Sequence, residues 1–527
     1  MLDWWPFLSM PSGYLAHAMA WALRINPDVS RPQFPPQRLS MRKLPVSFSI
    51  LFCVLVCSTG QATADEKASE PKASDDRPNI VWIIADDLGP ELACYGYPDV
   101  ATPNVDRLAE RGRLFANAFS TSPVCSSSRS AFQTGRYQTS IGCYHHLTRD
   151  KKELQVPTAI DWLREAGYFI SHGNGEVGNK KANKYGVNYL YDKRTHFDAY
   201  DWSEREPGQP FFAQVHIHEP HRPFVKSDRQ RTDAPIPPHY PEHPITRADW
   251  SNYLATIEVM DQKVGGILDR LEAEGISENT LVIFFGDHGR PHVRGKQWLY
   301  EGGLHTPLIV RWPAKLSKAS VEAGLATLLD VVPTTLQAAG IDPPELPGKS
   351  LLEDEWSGHE LIFAARDRCG DAPDRIRSVR NERFKYIRNF HPEKPYLQLS
   401  SYKKLSYPVE TLMKVLHAEG QWDSPFMAEN RPEEELYDLS NDPHEMHNLA
   451  KDEAYQSKLV ELRTTLDDWM NETGDQGGVD ESQTVNMEEL MVEKRKWYER
   501  TMERRGLEPS VSDSEYLQWW ATELGVE

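Results

Sequence analysis

Short apolar runs that end abruptly in acidic residues constrain this chain most. Residues 80–85 read Ile-Val-Trp-Ile-Ile-Ala and stop at Asp86-Asp87. Residues 281–285 read Leu-Val-Ile-Phe-Phe and, past Gly286, meet Asp287-His288-Gly289. Phe211–Val215 and Pro307–Val310 are similarly unbroken. A strand with one wet face alternates, whereas a run that is apolar at every position is buried on both faces, as in a parallel sheet covered by helices. Helical patterns over about 157–166, ending at Gly167, and about 249–274, ending at Gly275, supply that cover. The expected class is α/β, a large doubly wound and mostly parallel sheet.

From about residue 360 the pattern changes. Arg377-Ser-Val-Arg-Asn and Phe384-Lys-Tyr-Ile-Arg look like exposed antiparallel strands, and a helix is expected over Glu453–Asn471. The expected division is a leader and signal peptide over 1–64, a catalytic domain over 65–360, a smaller α+β domain with an antiparallel sheet over 361–475, and a charged helical tail over 476–527. The 527 residues suit two such domains better than one.

The chain carries a formal charge of −19, which disfavours nucleic acid and anionic membranes as partners; an anionic substrate needs a locally positive pocket. From Met41 the sequence reads Met-Arg-Lys, then an apolar stretch Leu44–Val56, then Ala62-Thr-Ala64 before Asp65. That is a signal-peptide layout, so translation is expected to begin at Met41 and the product to be secreted or periplasmic. The stretch is too short for stable membrane insertion. Cys53 and Cys57 fall in the signal, leaving Cys94, Cys125, Cys143 and Cys369, too few for a disulfide scaffold.

Asp86-Asp87 and Asp287-His288 both follow apolar strands, and ligands of open α/β sheets gather at the carboxyl ends of strands. Three carboxylates brought together repel unless a cation joins them, and hard carboxylate oxygens suit Ca²⁺ or Mg²⁺ rather than a soft metal. Cys125-Ser-Ser-Ser-Arg129 places a thiol at a helix start, where free N–H groups favour anions, with Arg129 one turn on.

With these residues in view, the chain resembles the formylglycine-dependent type I sulfatases of the alkaline phosphatase superfamily. The resemblance rests on Pro78-Asn-Ile-Val-Trp-Ile-Ile-Ala-Asp-Asp-Leu-Gly, Thr102-Pro-Asn-Val-Asp-Arg-Leu-Ala, Cys125-Ser-Ser-Ser-Arg-Ser, Gly286-Asp-His-Gly, Tyr300-Glu-Gly-Gly-Leu-His-Thr-Pro and Glu435-Leu-Tyr-Asp-Leu-Ser-Asn-Asp-Pro. Spacing and the Arg377-Ser-Val-Arg block look closest to the heparan N-sulfatase (sulfamidase) branch. The resemblance implies that a maturation enzyme oxidises Cys125 to formylglycine, whose hydrate attacks sulfur beside a calcium ion. Asp86, Asp87, Asp287, His288 and residue 125 would hold the metal, and Arg129 would steady the nucleophile. His221 matches the histidine that binds sulfate or protonates the leaving group, with His218 as understudy, and Lys296 matches a sulfate-binding lysine. The implied substrate is a sulfate ester or N-sulfate on a carbohydrate, with Arg377 and the segment 366–371 contributing sugar selectivity.

Two positions depart from the family pattern. Ser127 stands where the modification motif carries Pro or Ala, and Gly173-Asn-Gly-Glu-Val-Gly lacks the lysine and histidine of the usual Gly-Lys-x-His-x-Gly. Lys184 is the expected substitute for that lysine, and His145, in the doublet His145-His146, a further pocket residue. A phosphodiester or phosphonate monoester hydrolase and a non-catalytic glycan-binding relative stay open as alternatives.

Overall fold

The computed structural model describes residues 77–149, 151–398, 400–478 and 486–526. The expected signal peptide lies outside the described residues.

Seven strands form the main sheet: β1 (Asn79–Ala85), β2 (Arg113–Phe119), β3 (Phe169–Gly173), β4 (Phe211–Ile217), β5 (Thr280–Gly286), β6 (Leu308–Arg311) and β7 (Ser320–Thr327), in the order β3-β4-β1-β5-β6-β2-β7. Neighbours are parallel except at β6, which runs antiparallel to both β5 and β2. The apolar run at 307–310 is thus a strand, but a reversed one. Both faces of β1 are covered: Val81, Ile83 and Ala85 join one core, and Ile80, Trp82 and Ile84 the other. That double burial is why β1 shows no alternation.

Five helices and a short turn flank the strands: α1 (Pro103–Ala109), α2 (Cys125–Thr134), α3 (Ala159–Glu165), α4 (Pro244–Ala273), α5 (Glu301–Leu304) and α6 (Val331–Ala338). The long α4, started by Pro244 at its first position and a His243 cap, packs Tyr253, Ile257, Met260 and Val264 into the first core. Residues of α2, α3 and α6 build the second. A reciprocal Thr158–Asp161 cap fixes where α3 begins.

A second sheet, order β11-β10-β9-β8, is antiparallel throughout and comprises β8 (Ile362–Arg366), β9 (Ile376–Arg380), β10 (Phe384–Asn389) and β11 (Glu434–Asp438). Between β10 and β11 lie α7 (Ser401–Ser406) and α8 (Pro408–Ala418), and after β11 comes α9 (Gln456–Glu472). These strands are not exposed, contrary to the expectation from their polar alternation. Leu459, Leu462, Leu466 and Trp469 of α9 cover one face through Val379, Tyr386 and Leu436. Ile376, Ile387 and Tyr437 on the other face merge with the main core. The expected tail contains two helices, α10 (Met487–Arg504) and α11 (Asp513–Leu524), joined through Met502 and Tyr516 to Leu405 of α7.

Trp82 is the largest side chain buried on β1. Its ring meets Phe132, Phe212 and Phe285 edge-on, and its Nε1 donates to Thr335 Oγ1 at 2.9 Å. Replacing it by alanine should cost about 3–5 kcal/mol. Chemical denaturation of Trp82→Ala should show the midpoint displaced accordingly; an unchanged midpoint would contradict this packing.

Candidate active site

The sheet brings the acidic residues together. In the register, Ala85 of β1 lies opposite Gly286 of β5, so Asp86, Asp87 and Asp287 leave adjacent parallel strands side by side. Asp87 has φ +64°, a left-handed conformation that Asp tolerates better than most residues. Its N–H donates to Asp287 Oδ1 at 2.9 Å. All three carboxylates are fully buried and each offers an oxygen within 4.8 Å of the others.

Helix α2 begins at Cys125, and the hydroxyl of Ser128 donates to the Asp287 carbonyl oxygen, docking the helix start on the end of β5. From the next turn Arg129 forks across the cluster: Nε reaches Asp287 at 3.0 Å and Nη2 reaches Asp86 at 3.1 Å. Two lysines close it. Lys296, on the loop after β5, donates to both oxygens of Asp87 at 2.7 and 2.8 Å. Lys184 donates to Asp86. Asn183 places Lys184 by donating to the His216 carbonyl oxygen at 2.8 Å at the end of β4. His216 Nε2 and His218 Nδ1 lie 3.7 and 3.8 Å from Asp86, and His221 Nε2 lies 3.7 Å from Asp87. His288 Nε2 is 3.1 Å from Asp87 and 3.7 Å from Asp287.

Burial alone would raise every carboxyl here. Lys184 and Arg129 overcome it at Asp86, and Lys296, His221 and His288 at Asp87, so both are held well below the usual range. Asp287 is not rescued: burial and the neighbouring Asp86 charge push it up to about 7. Beside it, His288 resists burial and is lifted to about 10 by Asp287 and Asp87. Burial would raise the Cys125 thiol too, but Lys184 and Lys296 hold it well below its ordinary value. Asp287 is thus the one acid of the three that the surrounding cations leave with a raised pKa. His288 Nε2 is buried with no aligned hydrogen bond, although it faces two carboxylates. Oxygen donors from three carboxylates plus one imidazole fit a hard divalent cation.

Most of the expected residues converge on this spot: Asp86, Asp87, Asp287, His288, Cys125, Arg129, Lys184, Lys296, His218 and His221. Two do not. Arg377 is 0% exposed, and its guanidinium is spent on Asp475 and Asp367, so it pins the second sheet to the segment after α9 and presents nothing to a sugar. His145 turns away, its Nδ1 accepting from the Arg368 N–H at 3.3 Å. Its neighbour His146 lies at Cys125, with Nε2 3.5 Å from Cys125 Sγ and Nδ1 3.8 Å from Cys369 Sγ. Three further contributors are not singled out individually by the sequence reading. His216 shares a strand face with His218, a period-two signal that is present in the sequence. His146 comes from the loop after α2, and Tyr402, whose ring centre is 5.9 Å from that of His221, from the short helix α7.

With the geometry in place, comparisons decide the family. The profile described as Sulfatase matches residues 78–341, and that described as N-sulphoglucosamine sulphohydrolase, C-terminal, matches 286–404. The chain belongs to the sulfatase family. An ulvan-active sulfatase of Formosa agariphila is 33% identical over 80% of this chain and 79% of its own. The N-sulphoglucosamine sulphohydrolase of Homo sapiens is 28% identical over 75% and 90%. This sulfatase is therefore a hydrolase of sulfate esters or N-sulfates, in the sulfamidase-like branch. It shares its fold with a structure solved in complex with D-glucosamine-2-N,6-O-disulfate, at TM-score 0.56 and 19% identity over 76% of this chain and 99% of that one.

Metal binding to the sulfatase should compete with protons. Asp287 holds its proton below about pH 7, so a divalent cation must displace it there and binds more tightly as pH rises through that value. Chelation should lower Tm and added calcium restore it, with a larger restoring shift above about pH 7 than below. Thermal unfolding at both pH values checks the sign; a larger shift on the acid side would refute it.

Proposed function

We propose that this sulfatase removes sulfate from an ester or N-sulfate group of a sulfated carbohydrate, using formylglycine made from Cys125 and a calcium ion held by Asp86, Asp87, Asp287 and His288. The observation that carries the reading is the meeting of one thiol at a helix start with three buried carboxylates and three cations at the ends of adjacent strands. The relatives described as ulvan-active sulfatase and N-sulphoglucosamine sulphohydrolase support the carbohydrate class and keep both O- and N-sulfate in play.

Formylglycine supplies an oxygen nucleophile for sulfur, and calcium supplies charge that favours the ionised nucleophile. The chain's own groups do the rest. Arg129 holds Asp86 and Asp287 at fixed positions beneath residue 125. Lys184 and Lys296, which pair with Asp86 and Asp87, are the two ammonium groups at the cluster that would bind sulfate oxygens. His221 donates from Nδ1 to the Arg222 carbonyl oxygen, so Nε2 faces the cluster and is the atom placed to move a proton at the departing oxygen or nitrogen. His146, reaching residue 125 from the loop after α2, adds a further imidazole beside it. The signal-like segment at 41–64 supports a secreted or periplasmic enzyme that meets polysaccharide outside the cytoplasm. Among the described residues no helix is long and apolar enough to cross a membrane.

Peptide mass spectrometry of the segment around Cys125, from protein made with a formylglycine-generating enzyme, should show the aldehyde. A free thiol in every molecule would end this mechanism. Lys184→Ala and Lys296→Ala should each lower kcat/KM by about 10²–10³-fold in protein that remains folded by circular dichroism. Parallel rates on an aryl sulfate, a sulfamidate and a phosphodiester should favour the first two; dominant phosphodiester turnover would overturn the assignment.

A further inference from the structure

A cavity of about 860 Å³ lies beside β2 and β7, away from the carboxylate cluster, and none of Asp86, Asp87, Cys125 or Asp287 lines it. Its rim is exposed at Glu382, Ser440 and Asn441, while its deep wall is buried. The volume lies within the range of small-molecule sites, about 300–1,000 Å³.

The charges in its wall are almost all matched. Glu91 pairs with Arg290 at 2.8 Å, Glu301 with Arg380 at 2.7 Å, Glu445 with Lys385 at 2.9 Å, and Arg383 with Asp438 at 2.7 Å. Arg294 is the exception. It is 1% exposed, and its one close hydrogen bond runs from Nη2 to the Glu445 carbonyl oxygen at 2.9 Å. Its Nε and Nη1 meet no acceptor among the described residues. The guanidinium is clamped between the rings of Tyr300 and Phe426, 3.7 Å from each centre, and the residue is held at φ +57°. A left-handed arginine carries strain of about 1–3 kcal/mol, which surrounding structure must sustain. Deeper in the same wall His239 is 4% exposed, and neither ring nitrogen has a hydrogen-bond partner among the described residues. Burial, helped by the charges of Arg294 and Arg290, keeps its imidazole neutral, with one donor and one acceptor to offer. Buried guanidinium N–H groups without acceptors and a buried imidazole without a bond each call for a polar occupant.

The geometry points to this cavity as a second binding site, for an oxyanion: a carboxylate or sulfate, free or carried on a body the size of one sugar. The anion sits on Arg294, whose clamp fixes the fork in advance, and a neighbouring polar group of the ligand sits on His239. Trp250 and Tyr97 supply aromatic wall against which a ring can lie. The site is independent of the proposed chemistry at residue 125, although Arg294 shares a loop with Lys296.

Calorimetric titration of the full chain with glucuronate, inorganic sulfate and neutral glucose tests it, with Arg294→Met and His239→Leu in parallel. Glucuronate or sulfate should bind with a Kd of about 1 mM, glucose should not, and each substitution should weaken binding about tenfold or more. Sulfate without glucuronate assigns the cavity to the free anion; glucuronate assigns it to an anionic sugar. Binding at the catalytic cluster would persist in both variants, so equal affinity in all three proteins overturns the proposal. So does equal binding of glucose, or no binding of either anion. If Arg294→Met does not fold, His239→Leu decides the matter alone, because it leaves Arg294 in place.

Discussion

Three carboxylates forced into one water-free spot are the constraint on which the rest of this site depends. Each would cost several kcal/mol to bury alone as an ion, and together they repel. The sheet leaves no choice: β1 and β5 are parallel neighbours in register, so the residues leaving one strand stand beside those leaving the other. Arg129 from α2, Lys184 from the loop after β3 and Lys296 from the loop after β5 converge as the answer. The same three cations make a positive pocket in a chain whose net charge is −19. An anion site thus grows out of the need to neutralise an acidic one. A divalent cation held by the carboxylates would add its charge to that of Lys184 and Lys296 at the same spot.

Much of this was legible in the sequence because burial on both faces erases alternation. The continuous runs marked β1, β4, β5 and β6, and the acids that end two of them marked the cluster. Strands β2, β3 and β7 left no comparable trace. Arg113-Leu-Phe-Ala-Asn-Ala-Phe has no β-branched residue, β3 is a five-residue edge, and β7 is half exposed over its first five residues. Direction was also hidden: nothing in Leu-Ile-Val-Arg says that β6 runs against its neighbours. Arg377 and Lys385 read as surface residues because their charge is visible in sequence and their partners are not. The partners come from far along the chain, Asp475 for one and Glu301 with Glu445 for the other.

Loop residues were the least legible. Between His145 and His146 the sequence offers no period to choose by, and serines of α2 make the choice. Ser126 accepts from the Leu147 N–H at 2.8 Å and Ser127 donates to the Tyr144 carbonyl oxygen at 3.0 Å, so both ends of the segment carrying the doublet are tied to the helix. Asn188 adds bonds to the Cys143 and His145 carbonyl oxygens at 2.9 and 2.6 Å. Ser127, a departure when read as a motif position, is in the fold the anchor that turns His146 toward residue 125.

The burial of Cys125 also imposes an order of events. Its side chain is 5% exposed, beneath the loop carrying His146 and behind Lys184 and Lys296. All four cysteines of the described residues are free thiols, so closing the fold requires no oxidant. An enzyme that oxidises residue 125 needs the chain around it extended and accessible, and the finished fold offers neither. On the proposed chemistry, the oxidation of residue 125 would have to precede folding, because the thiol is buried once α2 has formed. The residues flanking Cys125 would then answer to two readers in succession: the proposed maturation partner, and a protein core that admits them as a buried helix.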